Sequence, residues 1–187
     1  MGFKRIVRAI ITMSAFAFAA IAPAQSSQLA AFEATLAAHD SATEALTQWC
    51  EARGIATPAQ IVARPVVGTS AKPPQGLRRL LGIGPHEAIG YRHVELTCGN
   101  HVLSSAHNWF VPARLTPEMN SALASSHIPF GKIAAPLRYR REPLETLTKP
   151  PRGCPANTIS AHRALLRLPD GRSLAYVLEC YTSDNIK

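Results

Sequence analysis

Several common chemistries are missing from this sequence, and each gap removes a class of function. No Cys-x-x-Cys pair occurs, so a zinc ribbon or a thioredoxin-like centre lacks its ligands. Neither His-x-x-x-His nor His-Glu-x-x-His occurs among the seven histidines, so no helical metal site is encoded and none is expected. Gly-x-Ser-x-Gly is absent, which removes the nucleophile elbow of a serine hydrolase. Gly82-Ile83-Gly84 has no strand–turn–helix context and no following lysine, so it is not a phosphate loop. Zinc-finger and aromatic RNA-binding motifs are also lacking, and the arginines are spread out, so nucleic acid is not an expected partner. Charge is sparse: 17% of residues are charged against 47% apolar, which describes a globular chain rather than a disordered one. No repeat and no second-domain signal interrupts the 187 residues, so one domain is expected.

The first residues are of a different kind. Lys4, Arg5 and Arg8 precede an apolar run from Ile10 to Ile21, and Ala22-Pro23-Ala24 offers small residues at a cleavage site. This order predicts a signal peptide over residues 1–24, with a mature domain over 25–187. The run is too short to span a bilayer comfortably, so no stable membrane insertion is expected after cleavage. The expected location is therefore outside the cytoplasm, periplasmic or secreted. Losing the three basic residues leaves 17 Lys+Arg against 12 Asp+Glu, a net +5 that suits small anions. Cys50, Cys98, Cys154 and Cys180 form an even set, as expected of disulfides in an exported chain. Three pairings are open, and buried free thiols at Cys98 and Cys180 are the alternative.

Two helices are expected first. Ser26-Ser27 would cap one carrying Leu29, Phe32 and Leu36, and Ser41 with Glu44 forms a capping box for a second that ends at Gly54. A strand follows around Ile61-Val62, with Pro65 at an edge or bend. Residues 68–90 are rich in Gly and Pro and read as a long connection or flap, with one helical turn at Leu77–Leu81. A hairpin runs from Arg92 through Gly99-Asn100 to Val111, and Thr116-Pro117 starts another helix. The last hairpin is the clearest, with Asp170-Gly171 between two apolar runs. Helices followed by hairpins around one sheet make an α+β fold with a mostly antiparallel sheet.

Two charges fall where burial is expected. Arg92 shares a strand face with Val94, Leu96 and Cys98, and Glu179 shares one with Ala175, Val177 and Tyr181. A buried guanidinium or carboxylate needs a partner. Either the two pair with each other, or Arg92 binds a ligand carboxylate while Glu179 meets a hydroxyl or moves a proton. Arg138, Arg140 and Arg141 read as a solvated face, and most histidines as solvent-exposed, with His107 left open.

The order of short motifs resembles the chorismate pyruvate-lyase family over about residues 27–183. The resemblance rests on Asp40-Ser41-Ala42-Thr43, on Arg92-x-Val94-x-Leu96 with Val111-Pro112, and on Pro117-Glu118. It continues through Pro129-Phe130-Gly131-Lys132 and Gly171-Arg172-Ser173-Leu174 up to Glu179. It implies a single α+β domain with a six-stranded antiparallel sheet, helices packed on it and a site closed by flaps. It also implies elimination of pyruvate from chorismate to give 4-hydroxybenzoate, without metal or cofactor. By the same resemblance Glu179 is the candidate catalytic residue. Arg92 would bind the ring carboxylate, the backbone N–H groups of Ala42 and Phe130 would hold the ligand, and segment 68–90 would supply part of a flap. Asn108 stands where the family has a second arginine, and the spacing from Gly171 to Glu179 is one residue longer than usual. The alternative is an exported binding module that holds a small aromatic carboxylate without turning it over. A monomer is expected in either case.

Overall fold

The computed structural model describes residues 22–68 and 71–187. Of the expected signal segment, only residues 22–24 fall within that range, as the start of the first helix. Helix α1 (Ala22–Ala37) runs into α2 (Ala42–Ala52), and the break between them is set by Ser41, whose Oγ accepts from the Glu44 N–H. Ser26 and Ser27 lie inside α1 rather than at its start, because the helix begins earlier than a cap at those serines requires. Strand β1 (Ile61–Pro65), the short α3 (Leu77–Leu81), β2 (Gly90–Cys98) and β3 (His101–Phe110) follow. After α4 (Pro117–Ser125) and α5 (Phe130–Ala134) come β4 (Arg140–Leu147), β5 (Thr158–Arg167) and β6 (Ser173–Thr182).

The six strands form one sheet in the order β1-β2-β3-β6-β5-β4, and every pair is antiparallel. β6 lies at the centre and is buried along its whole length. β4 is an edge strand, which is where Pro143 is tolerated and where a bulge falls between Pro143 and Glu145.

The alternation of side chains gives the sheet two differently covered faces. One face is covered by helices: Phe32 and Leu36 of α1, and Leu46 and Trp49 of α2, pack on Val94, Leu96, Ala106 and Tyr181. Further along, Leu123 of α4 with Phe130 and Ile133 of α5 packs on Leu166, Ala175 and Val177. The other face is covered mostly by loops. Leu77 and Leu81 in the 71–90 connection pack on Trp109, Leu165, Tyr176 and Leu178. That connection, expected to supply part of a flap, therefore packs on the face opposite Glu179. Its two leucines take it there.

Each face carries one disulfide. Cys50–Cys98 ties α2 to β2 on the helical face, and Cys154–Cys180 ties the loop before β5 to β6 on the loop face. All four cysteines are paired. Among the described residues, no helix is long and apolar enough to cross a membrane.

Candidate functional site

Glu179 points to the helical face and is buried, flanked in register by Ala106 of β3 and His162 of β5. Its carboxylate is met by the Arg141 guanidinium from β4 and by the Tyr181 hydroxyl, which donates to it at 3.0 Å. Both side chains of the ion pair are about nine-tenths buried. Burial alone would weaken the charge on Arg141. The Glu179 carboxylate, together with the Tyr181 and Tyr139 hydroxyls, outweighs this and raises its pKa above the ordinary value. Arg138 and Arg140 are exposed, as expected of a solvated face, but Arg141 is not. Neighbouring strand residues point to opposite faces, so Arg140 and Arg141 cannot share an environment.

A small pocket opens beside this pair. Asn108, Val94 and Val177 form its sheet wall, and Ser41, Ala42, Thr43, Phe130 and Gly131 close it from α2 and α5. Ala42 and Phe130 each open a helix, and both residues singled out in the sequence line this one cavity. Gly131 is the residue that lets the helices approach. A Cβ there would lie 2.6 Å from Ser41 Oγ and 2.9 Å from Thr43 Oγ1, closer than atoms tolerate. Tyr139 completes the wall; burial, with the nearby Glu179 charge, pushes its hydroxyl up to about 12, so it is a neutral hydrogen-bonding group. The enclosed space is about 30 Å3, room for water but not for an aromatic ring. Asp40 and Arg141 also line a wider hollow of about 410 Å3 between the end of α1 and β4–β5, where His162 pairs with Glu33 at 2.8 Å.

Arg92 is buried on the same face, two strands from Glu179. Its Nη1 donates to the Ile128 carbonyl at 2.9 Å and its Nη2 to the Ser126 carbonyl at 2.7 Å. Burial lowers its pKa, and two carbonyl acceptors take the place of a carboxylate. Arg92 borders a separate hollow with Phe110 and Leu123, not the cavity of Asn108 and Glu179. The ion pair considered between Arg92 and Glu179 is not formed; each charge has another partner. Sequence reasoning missed Arg141, Tyr139 and Gly131. No local pattern signalled Arg141, because β4 is mostly exposed and shows no hydrophobic alternation.

The histidines divide unevenly. His86, His101 and His127 are exposed, His39, His93 and His162 are half-buried, and His107 is fully buried on the loop face. Among the described residues, no group of three or more His, Cys, Asp or Glu side chains is placed to hold a metal ion.

Comparison with solved structures gives the class. The effector domain of PhnF from Mycobacterium smegmatis superposes with a TM-score of 0.56 at 15% identity, over 78% of this chain and 90% of that domain. The longer PhnF structure gives the same TM-score over 80% of this chain and 66% of its own length. The chain spans 60% of YydK from Bacillus subtilis, at a TM-score of 0.48 and 15% identity. The architecture is thus the chorismate-lyase-like α+β fold, a single domain with a six-stranded antiparallel sheet. No family model matches the sequence. The chain belongs to the family of y4mC, an uncharacterized protein of Sinorhizobium fredii, with which it is 39% identical over 175 residues covering 83% of this chain and 74% of y4mC.

Proposed function

We propose that this chain is an exported, non-catalytic binding module for a small aromatic carboxylate, with its site on the helical face between Asn108, Phe130 and the Arg141–Glu179 pair. The observation that carries this reading is the state of Glu179. Its Oε2 accepts from both Arg141 and Tyr181, so the carboxylate is committed to holding these two side chains and not to a substrate hydroxyl. A guanidinium has five N–H donors, so Arg141 keeps donors for a second carboxylate while Glu179 fixes its orientation. The Asn108 side-chain amide offers a further donor on the same wall. In this reading the ligand enters through the wider hollow that shares Asp40 and Arg141, and seating its ring requires α2 and α5 to part, because the cavity itself is about 30 Å3. Arg92 acts as a positioning residue in this reading, because its two bonds hold the 126–128 segment that leads into Phe130. Two disulfides agree with an oxidising compartment outside the cytoplasm. The fold is shared with a domain described as an effector domain, which agrees in kind with a ligand-receiving role.

The direct test is calorimetric titration of the purified chain with 4-hydroxybenzoate. Saturable binding is expected, weakened tenfold or more by Arg141→Met. Normal binding by Arg141→Met together with loss in Arg92→Met at unchanged stability would move the anion contact to Arg92. The lyase reading keeps one support, the burial of Glu179 on the pocket wall with Ala42 and Phe130. Incubation with chorismate decides it: 4-hydroxybenzoate formed above the spontaneous rate, and lost in Glu179→Gln, would replace the module with an enzyme.

A further inference from the structure

The loop face holds a larger hollow than the helical face, and the reading above makes no use of it. Its volume is about 630 Å3, within the range of small-molecule sites. The floor is aromatic and flat. His93 stacks on His107 with ring centroids 3.9 Å apart and 18° between planes, and His107 stacks toward Trp109 at 5.9 Å and 20°. Tyr176 adjoins Trp109 at 5.8 Å and also lines the hollow. The floor is built rigidly. The Ala71 N–H donates to Tyr91 OH, which donates to His107 Nδ1 at 2.9 Å, and His107 Nε2–H donates to the Gly153 carbonyl at 3.2 Å. The carbonyl can only accept, so this tautomer of a neutral His107 follows from its partners. Burial lowers His107, and burial with the charge of His107 lowers His93 to about 4, so the floor carries no charge near neutrality.

The charge sits on the walls. Lys72 from the 71–90 connection, Arg152 from the disulfide-tethered loop and Arg163 from β5 come from three separate segments and line one hollow. Glu145 meets Arg163 at 2.6 Å, and no ion pair is formed by Lys72 or Arg152 among the described residues. Three cations against one carboxylate leave a local +2.

We propose that this hollow is a second ligand site, for a planar aromatic anion bearing two negative charges, such as an aryl phosphate. The ring lies on the His93–His107–Trp109 floor, where stacking and apolar burial hold it. The dianion meets Lys72 and Arg152, with Arg163 partly shared with Glu145. The site is distinct from the cavity of Glu179, which none of its residues lines, although Arg163 also borders the wider hollow beside that cavity.

The probe is 1-naphthyl phosphate, followed by NMR through the His93 and His107 ring protons and the Trp109 indole N–H. Saturable shifts at these three residues are expected, with 1-naphthol binding at least tenfold more weakly. Lys72→Ala/Arg152→Ala, a change of two exposed side chains, is expected to weaken binding tenfold or more. Glu145→Gln removes the one opposing carboxylate and is expected to tighten it two- to threefold, an outcome that misfolding cannot produce. The site is overturned if shifts appear at Phe130 and Tyr139 instead, if 1-naphthol binds equally well, if no saturation is reached, or if the charge variants bind as the parent chain does. Failure here leaves 4-hydroxybenzoate binding and its loss in Arg141→Met untouched, so the two readings fail separately.

Discussion

The two faces of the sheet solve the same problem by different means. The helical face buries charge by pairing it. Arg141 and Glu179 neutralise each other, Arg92 satisfies two carbonyls, and the cavity enclosed beside Glu179 is about 30 Å3. The loop face keeps its charge at the rim and its rings at the floor, and leaves about 630 Å3 open. One face is closed by α2 and α5, whose approach needs a glycine at 131; the other is closed by segments with little regular structure. A tightly packed polar site resists change in any one member, whereas an open aromatic floor tolerates it.

That contrast can be broken most strongly at the disulfides. Replacing Cys50 and Cys98 by alanine opens a loop of 48 residues, and about 4 kcal/mol of stability should go with it on chain-entropy grounds. Cys154 and Cys180 enclose 26 residues, and their replacement should cost about 3.5 kcal/mol. Urea unfolding measures both, and ligand titration tells them apart. The first pair should disturb 4-hydroxybenzoate binding and the second 1-naphthyl phosphate. Equal damage to both ligands from either pair would show that the faces are not independent.

The next effect belongs to the helical face alone. Arg141→Met leaves Glu179 buried with only Tyr181 as a partner, at a cost of about 3 kcal/mol. The double variant Arg141→Met/Glu179→Leu removes the stranded charge and should recover most of that loss. If the double variant is no more stable than the single one, charge burial is not what organises this face.

Much of this arrangement was legible in the sequence, and the exceptions have physical causes. β6 alternates with period two, so the placement of Glu179 and Cys180 on opposite, buried faces followed from spacing, whereas which face Glu179 takes did not. The N-cap at Ser41, one half of the expected capping box, and the Asp170-Gly171 turn were also local signals, and both formed. β4 gave no such signal. As a mostly exposed edge strand with a proline and a bulge it shows no hydrophobic alternation, so Arg141 looked like its neighbours. Its partner lies 38 residues away, and pairing at that distance is fixed by the sheet order, not by local pattern. The 71–90 connection was recognisable as irregular. Which face it covers depends on where Leu77 and Leu81 find apolar neighbours, and no periodicity expresses that.

The smallest expected effect sharpens the loop face. His93 has a folded-state pKa of about 4, below its unfolded value, so the unfolded chain takes the proton first. Its contribution to stability is therefore complete above about pH 6.5 and is lost as the pH falls toward about 4. His107 shifts in the same direction. His93→Phe keeps a ring on His107 and should lower the acid-unfolding midpoint, followed by near-UV circular dichroism, by about half a pH unit. An unchanged midpoint would mean that His93 is protonated without loss of stability.

The imidazole of His107 fastens two stretches of chain that the sequence keeps some eighty residues apart. The amide of Ala71 reaches it through Tyr91, and the carbonyl of Gly153 accepts from its other nitrogen. Losing either bond frees the ring to turn, and a turned ring serves neither loop. Residues 71–76 and 151–154 are therefore expected to open together, so that hydrogen exchange finds their amides sharing one opening event rather than two local ones.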